Sequence, residues 1–332
     1  MNPEAISILG AGSWGTALAI ALAANNRPAC LWGHEPGFMQ TLAKDRENHS
    51  FLPGIPFPAK LIIETELADA LGFSRDILLA VPSHAFREVL LNVAPLLRPD
   101  ARIAWATKGL EQGSGKFMSD VLEEVLGTRH PTAVVSGPTF ALEVARGLPT
   151  ALTAASANPV FANALAERLH GDAMRVYTSD DVLGVQLGGT VKNVLAIASG
   201  ITDGLALGAN SRAALITRGL AEIIRLGDAM GARRETLMGL SGVGDLILTC
   251  TDDLSRNRRL GLALGRGTSL DIAVSAIGQV VEGFNTAREV VQLARKYRVE
   301  MPISEQVFQV LHEGLAPRQA VQNLLARDIR SE

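Results

Sequence analysis

The stretch Ile6-Ser7-Ile8-Leu9-Gly10-Ala11-Gly12-Ser13-Trp14-Gly15-Thr16-Ala17-Leu18-Ala19 decides the fold of this chain. A short apolar run reads as a buried strand, glycines follow at G-x-G-x-x-G spacing, and an alanine- and leucine-rich segment reads as a helix. Each glycine has a mechanical role. Gly10 makes the tight turn, Gly12 leaves room for a pyrophosphate, and Gly15 lets the helix pack closely on the strand. The helix would aim its unpaired N–H groups and the positive end of its dipole at the phosphates. Glycine-rich turns are common, so the spacing alone is a weak signal. The strand before it and the helix after it make it a dinucleotide-binding signature.

Working outward, the first helix is expected over Trp14–Ala24, ended by Asn25-Asn26 as residues that tolerate the left-handed conformation. Ala29–Trp32 reads as the second strand, and the residue that selects the cofactor ribose should follow it. Here the chain offers Gly33-His34-Glu35. Glu35 suits the free 2′-hydroxyl of NAD, whereas a protonated His34 suits the 2′-phosphate of NADP, and the sequence leaves both open. A helix near 36–46 and a loop, Asn48-His49-Ser50-Phe51-Leu52-Pro53-Gly54, come next. Further strands read at 61–64, 76–81, 102–107, 132–136, 151–155 and 174–178, with helices near 83–91 and 115–126. Strands alternating with helices imply an α/β, Rossmann-type domain with a parallel, doubly wound sheet, whose ligands lie beyond the carboxyl ends of the strands. Ala80-Val81-Pro82-Ser83, Ala106-Thr107-Lys108-Gly109 and Val135-Ser136-Gly137-Pro138-Thr139 all leave strands at that end and should face one cleft.

Beyond Asp180 the alternation stops, and helical segments near 181–199, 211–230, 234–240, 256–264, 269–277, 284–297 and 303–312 describe a mostly helical domain. The expected division is residues 1–180 for the dinucleotide-binding domain and 181–332 for a substrate domain, packed directly without a linker. A chain of 332 residues can build two cores of ordinary size. With 47% hydrophobic and 20% charged residues and a net charge of −3, neither nucleic acid nor an anionic membrane is an expected partner. The N-terminus, Met1-Asn2-Pro3-Glu4, lacks a cationic signal region, and every apolar run reads as broken before it could span a bilayer, so the expectation is a cytoplasmic protein without membrane insertion. Cys30 and Cys250 suggest no disulfide, and the six histidines form no ligand-spaced pair, so no metal is expected.

Lys192 leads the residues that could carry chemistry. It sits in Gly188-Gly189-Thr190-Val191-Lys192-Asn193-Val194, within an apolar helix. It is either a general acid–base tuned by its surroundings or a lysine snorkelling at a helix edge. Lys108 reads as a ligand contact or an exposed loop lysine. Asp245, in Ser241-Gly242-Val243-Gly244-Asp245-Leu246, reads as a functional acid or a helix N-cap. Ser255-Arg256-Asn257 opens a helix with three side-chain donors suited to a phosphate, while Arg258 and Arg259 read as a solvated face.

Taken together, these segments resemble bacterial NAD(P)-dependent glycerol-3-phosphate dehydrogenase over nearly the whole chain. The resemblance rests on the glycine-rich stretch above, Leu31-Trp32-Gly33-His34, Phe51-Leu52-Pro53-Gly54, Ala80-Val81-Pro82-Ser83, Thr107-Lys108-Gly109-Leu110-Glu111 and Ser136-Gly137-Pro138-Thr139-Phe140-Ala141. It continues through Gly188–Ala198, Ser241–Leu246, Thr249-Cys250-Thr251, Ser255-Arg256-Asn257 and Val280-Val281-Glu282-Gly283. It implies reversible hydride transfer between NAD(P)H and dihydroxyacetone phosphate, giving sn-glycerol 3-phosphate for phospholipid synthesis. It implies that Lys192 is the catalytic lysine. Substrate contacts would come from Lys108, Gly137, Thr139, Lys192, Asp245, Ser255, Arg256 and Asn257. Cofactor contacts would come from Gly10, Gly12, Ser13, Trp14, Gly15, His34, Lys108, Ala141, Arg256, Val280 and Glu282. Two other readings compete: a 3-hydroxy acid dehydrogenase of the same layout, with a carboxylate clamp in place of Ser255-Arg256-Asn257, and a non-enzymatic protein that reports the NADH level. The apolar helical domain could bury a homodimer face.

Overall fold

A computed structural model describes residues 5–327. The chain divides into two compact units: one runs to Lys108 and resumes over Lys116–Val185, and the other joins Gly109–Gly115 to the chain from Gln186 onward.

The first unit follows the strand–helix alternation of its sequence. It runs β1 (Ile6–Leu9), α1 (Ser13–Ala24), β2 (Ala29–Trp32) and α2 (Pro36–Asp45), then β3 (Glu47–Asn48), β4 (Leu52–Pro56), β5 (Ile62–Glu64) and α3 (Leu67–Phe73). After β6 (Asp76–Leu79) come α4 (Phe86–Val93), β7 (Arg102–Trp105), α5 (Met118–Leu126), β8 (Thr132–Ser136), α6 (Ala141–Ala145), β9 (Thr150–Ala155), α7 (Pro159–Leu169) and β10 (Met174–Ser179). Eight strands form one sheet in the order β10-β9-β8-β7-β6-β1-β2-β5. Strand residues alternate between its two faces: Ile6, Ile8, Leu31 and Leu78 enter one apolar cluster, whereas Leu9, Cys30, Ile77 and Leu79 enter the other. Both faces are covered, so strands such as β1, β2 and β6 are buried at every position and read as continuous apolar runs. The strand order reverses between β1 and β6, which places the topological switch directly at Gly10.

Several expectations need correction. The sheet is not wholly parallel, because β8 and β9 pair antiparallel. The segment read as a loop at 48–54 folds into the hairpin β3–β4. Its apolar residues are few and its Pro and Gly mask the strand pattern. Asn26 is left-handed at φ 58°, but Asn25 is not. Helices α3, α6 and α7 were absent from the sequence reading, the first two being too short to show a period.

The second unit is helical: α8 (Val182–Gly204), α9 (Gly208–Met230), α10 (Arg234–Leu237), α11 (Asp245–Thr251), α12 (Arg256–Gly265), α13 (Leu270–Ile277), α14 (Glu282–Tyr297), α15 (Pro302–His312) and α16 (Pro317–Leu325). A π-helical turn, Leu240–Gly244, leads into α11. Neither α11 nor α16 was expected. Contrary to the sequence reading, α8 is long and apolar enough to cross a membrane by length and composition, but its most apolar window is 89% buried inside the protein. Helix α9 sends Glu222 to the start of α15, where the carboxylate accepts from the backbone N–H groups of Ile303 (2.6 Å) and Ser304 (3.2 Å) and from the Ser304 hydroxyl (2.9 Å). An acid from a distant helix thus serves as the cap that the sequence before Pro302 lacks.

Candidate functional site

The glycine-rich turn has the geometry that its spacing implies. The Gly10 N–H donates to the Trp32 carbonyl and the Ala80 N–H to the Leu9 carbonyl, stitching together the carboxyl ends of the central strands. A Cβ on Gly10 would lie 2.6 Å from the Ala80 carbonyl oxygen, and one on Gly15 would lie 1.9 Å from the Gly10 oxygen, so no side chain fits at either position. Gly12 differs: a Cβ there would meet nothing within 4 Å. Gly12 is also the N-cap of α1, and no side chain caps that end. The start of α1 therefore has room at Gly12 and no side-chain cap on its first N–H groups, which fits a pyrophosphate.

Other first-unit residues implied by the resemblance gather at the same strand ends. Lys108, half-buried rather than an exposed loop lysine, donates from Nζ to the Gly137 carbonyl at 3.2 Å, and the Thr139 hydroxyl donates to the same oxygen at 3.2 Å. Ala141 begins α6, which packs on α1, and Trp14 lies partly buried against the core on that side. His34 and Glu35 are both exposed, with Nε2 3.4 Å from the carboxylate. That pairing leaves the choice between NAD and NADP as open as the sequence did.

In the second unit, two helical segments match in register. A Cβ on Gly188 would lie 2.4 Å from the Ser241 carbonyl oxygen, so the backbone of the π-turn sits directly on α8. One helical turn further along each segment, Lys192 meets Asp245. Its Nζ donates to Asp245 Oδ1 at 2.6 Å and to Thr249 Oγ1 at 2.9 Å. Thr249, a turn beyond Asp245, donates in turn to the Asp245 carbonyl at 2.6 Å. Lys192 is 7% exposed and Asp245 fully buried. Lys192 is therefore not a snorkelling surface lysine, and Asp245 is the first residue of α11 rather than its N-cap. A buried ammonium is tolerable only with such a partner, and removing either member would strand a charge. The π-turn, a feature enriched at functional sites, sets the phase that aims Asp245 at α8.

The opposite flank of α8 meets α12 through glycines. A Cβ on Gly261 would lie 2.0 Å from the Ile197 carbonyl oxygen, and one on Gly200 2.1 Å from the Arg258 oxygen. This contact brings the start of α12 beside Lys192's neighbour: Asn257 Nδ2 donates to Asn193 Oδ1 at 2.9 Å, and Asn257 Oδ1 accepts from the Gly283 N–H at 2.9 Å. Ser255 caps α12, accepting from the Arg258 N–H. Arg256 lies beside Gln279, at 3.4 Å from Oε1. Burial weakens its grip on its proton, and Glu282, at the start of α14, opposes that shift. Val280 is exposed just before it.

Arg258 corrects another expectation. It is buried, pairing with Asp203 at 2.9 Å, while Arg259 alone is solvated. Both cysteines are buried thiols pushed up to about 12 by burial, which makes them poor nucleophiles. Sequence reasoning missed Asn193 and Thr249, which stood inside quoted motifs as unremarkable polar residues. Their offsets of one residue from Lys192 and four from Asp245 were the available signal.

Known proteins share the sequence and the fold of this chain. The pattern described as NAD-dependent glycerol-3-phosphate dehydrogenase N-terminus matches residues 5–162, and the corresponding C-terminus pattern matches residues 181–322. A glycerol-3-phosphate dehydrogenase [NAD(P)+] of Shewanella sp. strain MR-4 is 56% identical over 332 residues, covering 100% of this chain and 98% of the relative. The crystal structure of glycerol-3-phosphate dehydrogenase from Coxiella burnetii superposes with a TM-score of 0.94 at 51% identity, covering 97% of this chain and 99% of that one. The enzyme from Saccharomyces cerevisiae superposes at 0.83 with 25% identity, over 98% of this chain and 100% of that one. The chain belongs to the NAD-dependent glycerol-3-phosphate dehydrogenase family.

Proposed function

We propose that this oxidoreductase reduces dihydroxyacetone phosphate to sn-glycerol 3-phosphate with NAD(P)H, supplying glycerophospholipid synthesis, and that Lys192 is its proton donor. The observation that carries the mechanism is the buried cluster in which Lys192 donates to Asp245 at 2.6 Å and to Thr249 at 2.9 Å. NAD(P)H supplies the hydride that arrives at the C2 carbonyl carbon. As the carbonyl π pair moves onto oxygen, the Lys192 ammonium stabilises the developing charge and gives up a proton from Nζ, and in the reverse direction the amine takes the proton of the C2 hydroxyl. Asp245 offsets the cost of burying the ammonium, and Thr249 fixes its direction.

Arg256 and Asn257 hold the phosphate, a charged handle remote from the reacting bond. Binding there orients the carbonyl, so its energy is used in positioning. Ser255 supports them by capping the helix they open. On the first unit, Gly10, Gly12, Gly15, Ser13 and Trp14 receive the pyrophosphate and His34 the adenosine ribose. Lys108, Gly137, Thr139 and Ala141 complete the contacts there, and Val280 and Glu282 add cofactor contacts from the second unit. We place the enzyme in the cytoplasm. Exposed apolar residues of the second unit such as Met238, Ile247 and Ile272 support a homodimer, which sedimentation would test.

The deciding experiment follows NADH and NADPH absorbance separately with dihydroxyacetone phosphate, for the wild type and Lys192→Ala. Rapid oxidation by the wild type and its collapse in the variant are expected. No oxidation by folded, NADH-binding wild type would overturn the substrate, and full activity in the variant would overturn the mechanism.

A further inference from the structure

The hairpin β3–β4, which the reaction above does not use, is bound to the glycine-rich turn by one side chain. Asn48 is fully buried. Its Nδ2 donates to the Ala11 carbonyl at 3.0 Å and to the Thr16 hydroxyl at 2.9 Å, while its Oδ1 accepts from the Phe51 N–H at 3.0 Å. Thr16, itself fully buried, sits in the first turn of α1 and donates its own N–H to the Gly12 carbonyl. One amide therefore grips the residue just before the helix cap and a residue of the first turn. A second tie runs from the Ser13 hydroxyl to the Phe51 carbonyl at 2.7 Å.

The geometry of a trans peptide gives this grip a consequence. The C=O and N–H of one peptide plane point in opposite directions. Fixing the Ala11 carbonyl on Asn48 fixes the Gly12 N–H on the opposite side, and Gly12 is where the turn borders open space. The Ala11–Gly12 plane turns about ψ of Ala11 and φ of Gly12, and Gly12 has no Cβ to resist the rotation on its side. A free plane would have to be ordered at each binding event, and a held one would not.

We propose that Asn48 is a positioning residue for the cofactor: through the Ala11 carbonyl it orients the Gly12 N–H toward the pyrophosphate. This rests on the reading of the turn as the NAD(P)H site. Arg46 provides the comparison. It precedes β3 and ties the base of the same hairpin to the segment just beyond β4, donating to the carbonyls of Pro58 (2.6 Å) and Leu61 (2.9 Å), without touching the turn.

The test measures binding of NADH by fluorescence and of ADP-ribose by calorimetry in Asn48→Ala, Asn48→Ser and Arg46→Met, with a thermal melt of each. For both Asn48 variants, the dissociation constants and the KM for NADH should rise about tenfold or more, while kcat and the KM for dihydroxyacetone phosphate at saturating NADH stay within about twofold. Arg46→Met should lose thermal stability and keep its NADH affinity. An unchanged affinity in a folded Asn48 variant overturns the proposal. So does an equal loss in Arg46→Met, which would make the hairpin's folding the cause. Failure of both Asn48 variants to fold while Arg46→Met folds would make Asn48 a folding residue and also overturn it. A wild type that binds neither probe would instead remove the cofactor reading itself.

Discussion

The glycine-rich turn of the first unit and the lysine cluster of the second are built on opposite plans. The turn is a backbone feature, assembled from residues within one short stretch, and the recognition groups proposed for it are N–H donors that every residue but proline carries. The cluster is a side-chain site, assembled from α8, α11 and the start of α12, with Lys192 and Asp245 53 residues apart in sequence. The first is specified by what is missing, since the proposed pyrophosphate contact requires Gly12 to have no Cβ. The second is specified by what is present and by glycines elsewhere that let the helices close.

The largest expected effect breaks the side-chain site at its centre. Lys192→Ala should lower kcat by about a thousandfold or more, because proton transfer and oxyanion stabilisation are lost together. Steady-state rates at saturating substrate measure it. The next two changes set Gly→Ala against Gly→Ala. Gly261→Ala places a Cβ 2.0 Å from the Ile197 carbonyl oxygen, so α12 must move. The ~1 kcal/mol helix propensity gain is outweighed by an overpacking cost of about 3 kcal/mol, visible as a lower denaturation midpoint. Gly12→Ala meets no protein atom and has a φ of −76°, which alanine adopts freely. Its melting temperature should hold or rise slightly while its NADH dissociation constant rises about tenfold or more, the Cβ standing where the pyrophosphate belongs. If both variants behaved alike, the contrast between the two plans would fail.

Arg256→Gln sharpens it further. Loss of a charge-assisted hydrogen bond of about 1.5–3 kcal/mol should lower kcat/KM for dihydroxyacetone phosphate by roughly ten- to a hundredfold, with folding intact. The smallest effect concerns Glu289 on α14. It is buried, accepts from the Gly113 N–H at 3.4 Å, and burial pushes its carboxyl above the usual range. An acid whose folded pKa is raised contributes stability that is full below its unfolded value near ~4.3 and is lost as pH rises through the folded pKa. Glu289→Gln removes that loss, so its melting temperature should exceed the wild type's by a margin that grows as the pH rises above about 4.3.

The same division explains what the sequence made legible. Strand β1, the turn and α1 could be placed because their signals are local: an apolar run, three glycines at fixed spacing, a helix-forming tail. The roles proposed for Lys192 and Asp245 needed resemblance to a known family, since neither spacing nor composition distinguishes an acid facing a lysine from a helix cap. Arg258 was misread because only the fold supplies Asp203 as its partner. Gly109–Gly115 joins the second unit although it lies amid the first in sequence, and Glu289, which holds it, carries no local mark of that role. The hairpin was hidden by its own Pro53 and Gly54, residues that read as loop until the pairing of Glu47 with Pro56 is seen.

Helix α8 has a last consequence, one that applies before the protein has folded. A ribosome delivers its 23 residues as an apolar segment of membrane-spanning length, exposed until its packing partners emerge from α9 onward. Insertion machinery sorts such segments by their summed transfer free energy, and a lysine at the centre of a span adds about 2.5–3.5 kcal/mol against entry. Lys192 stands near the middle of α8. The charge proposed to serve the reaction in the folded enzyme thus also biases the newborn chain away from the bilayer, and a variant that removes it would be made under weaker protection from mistargeting.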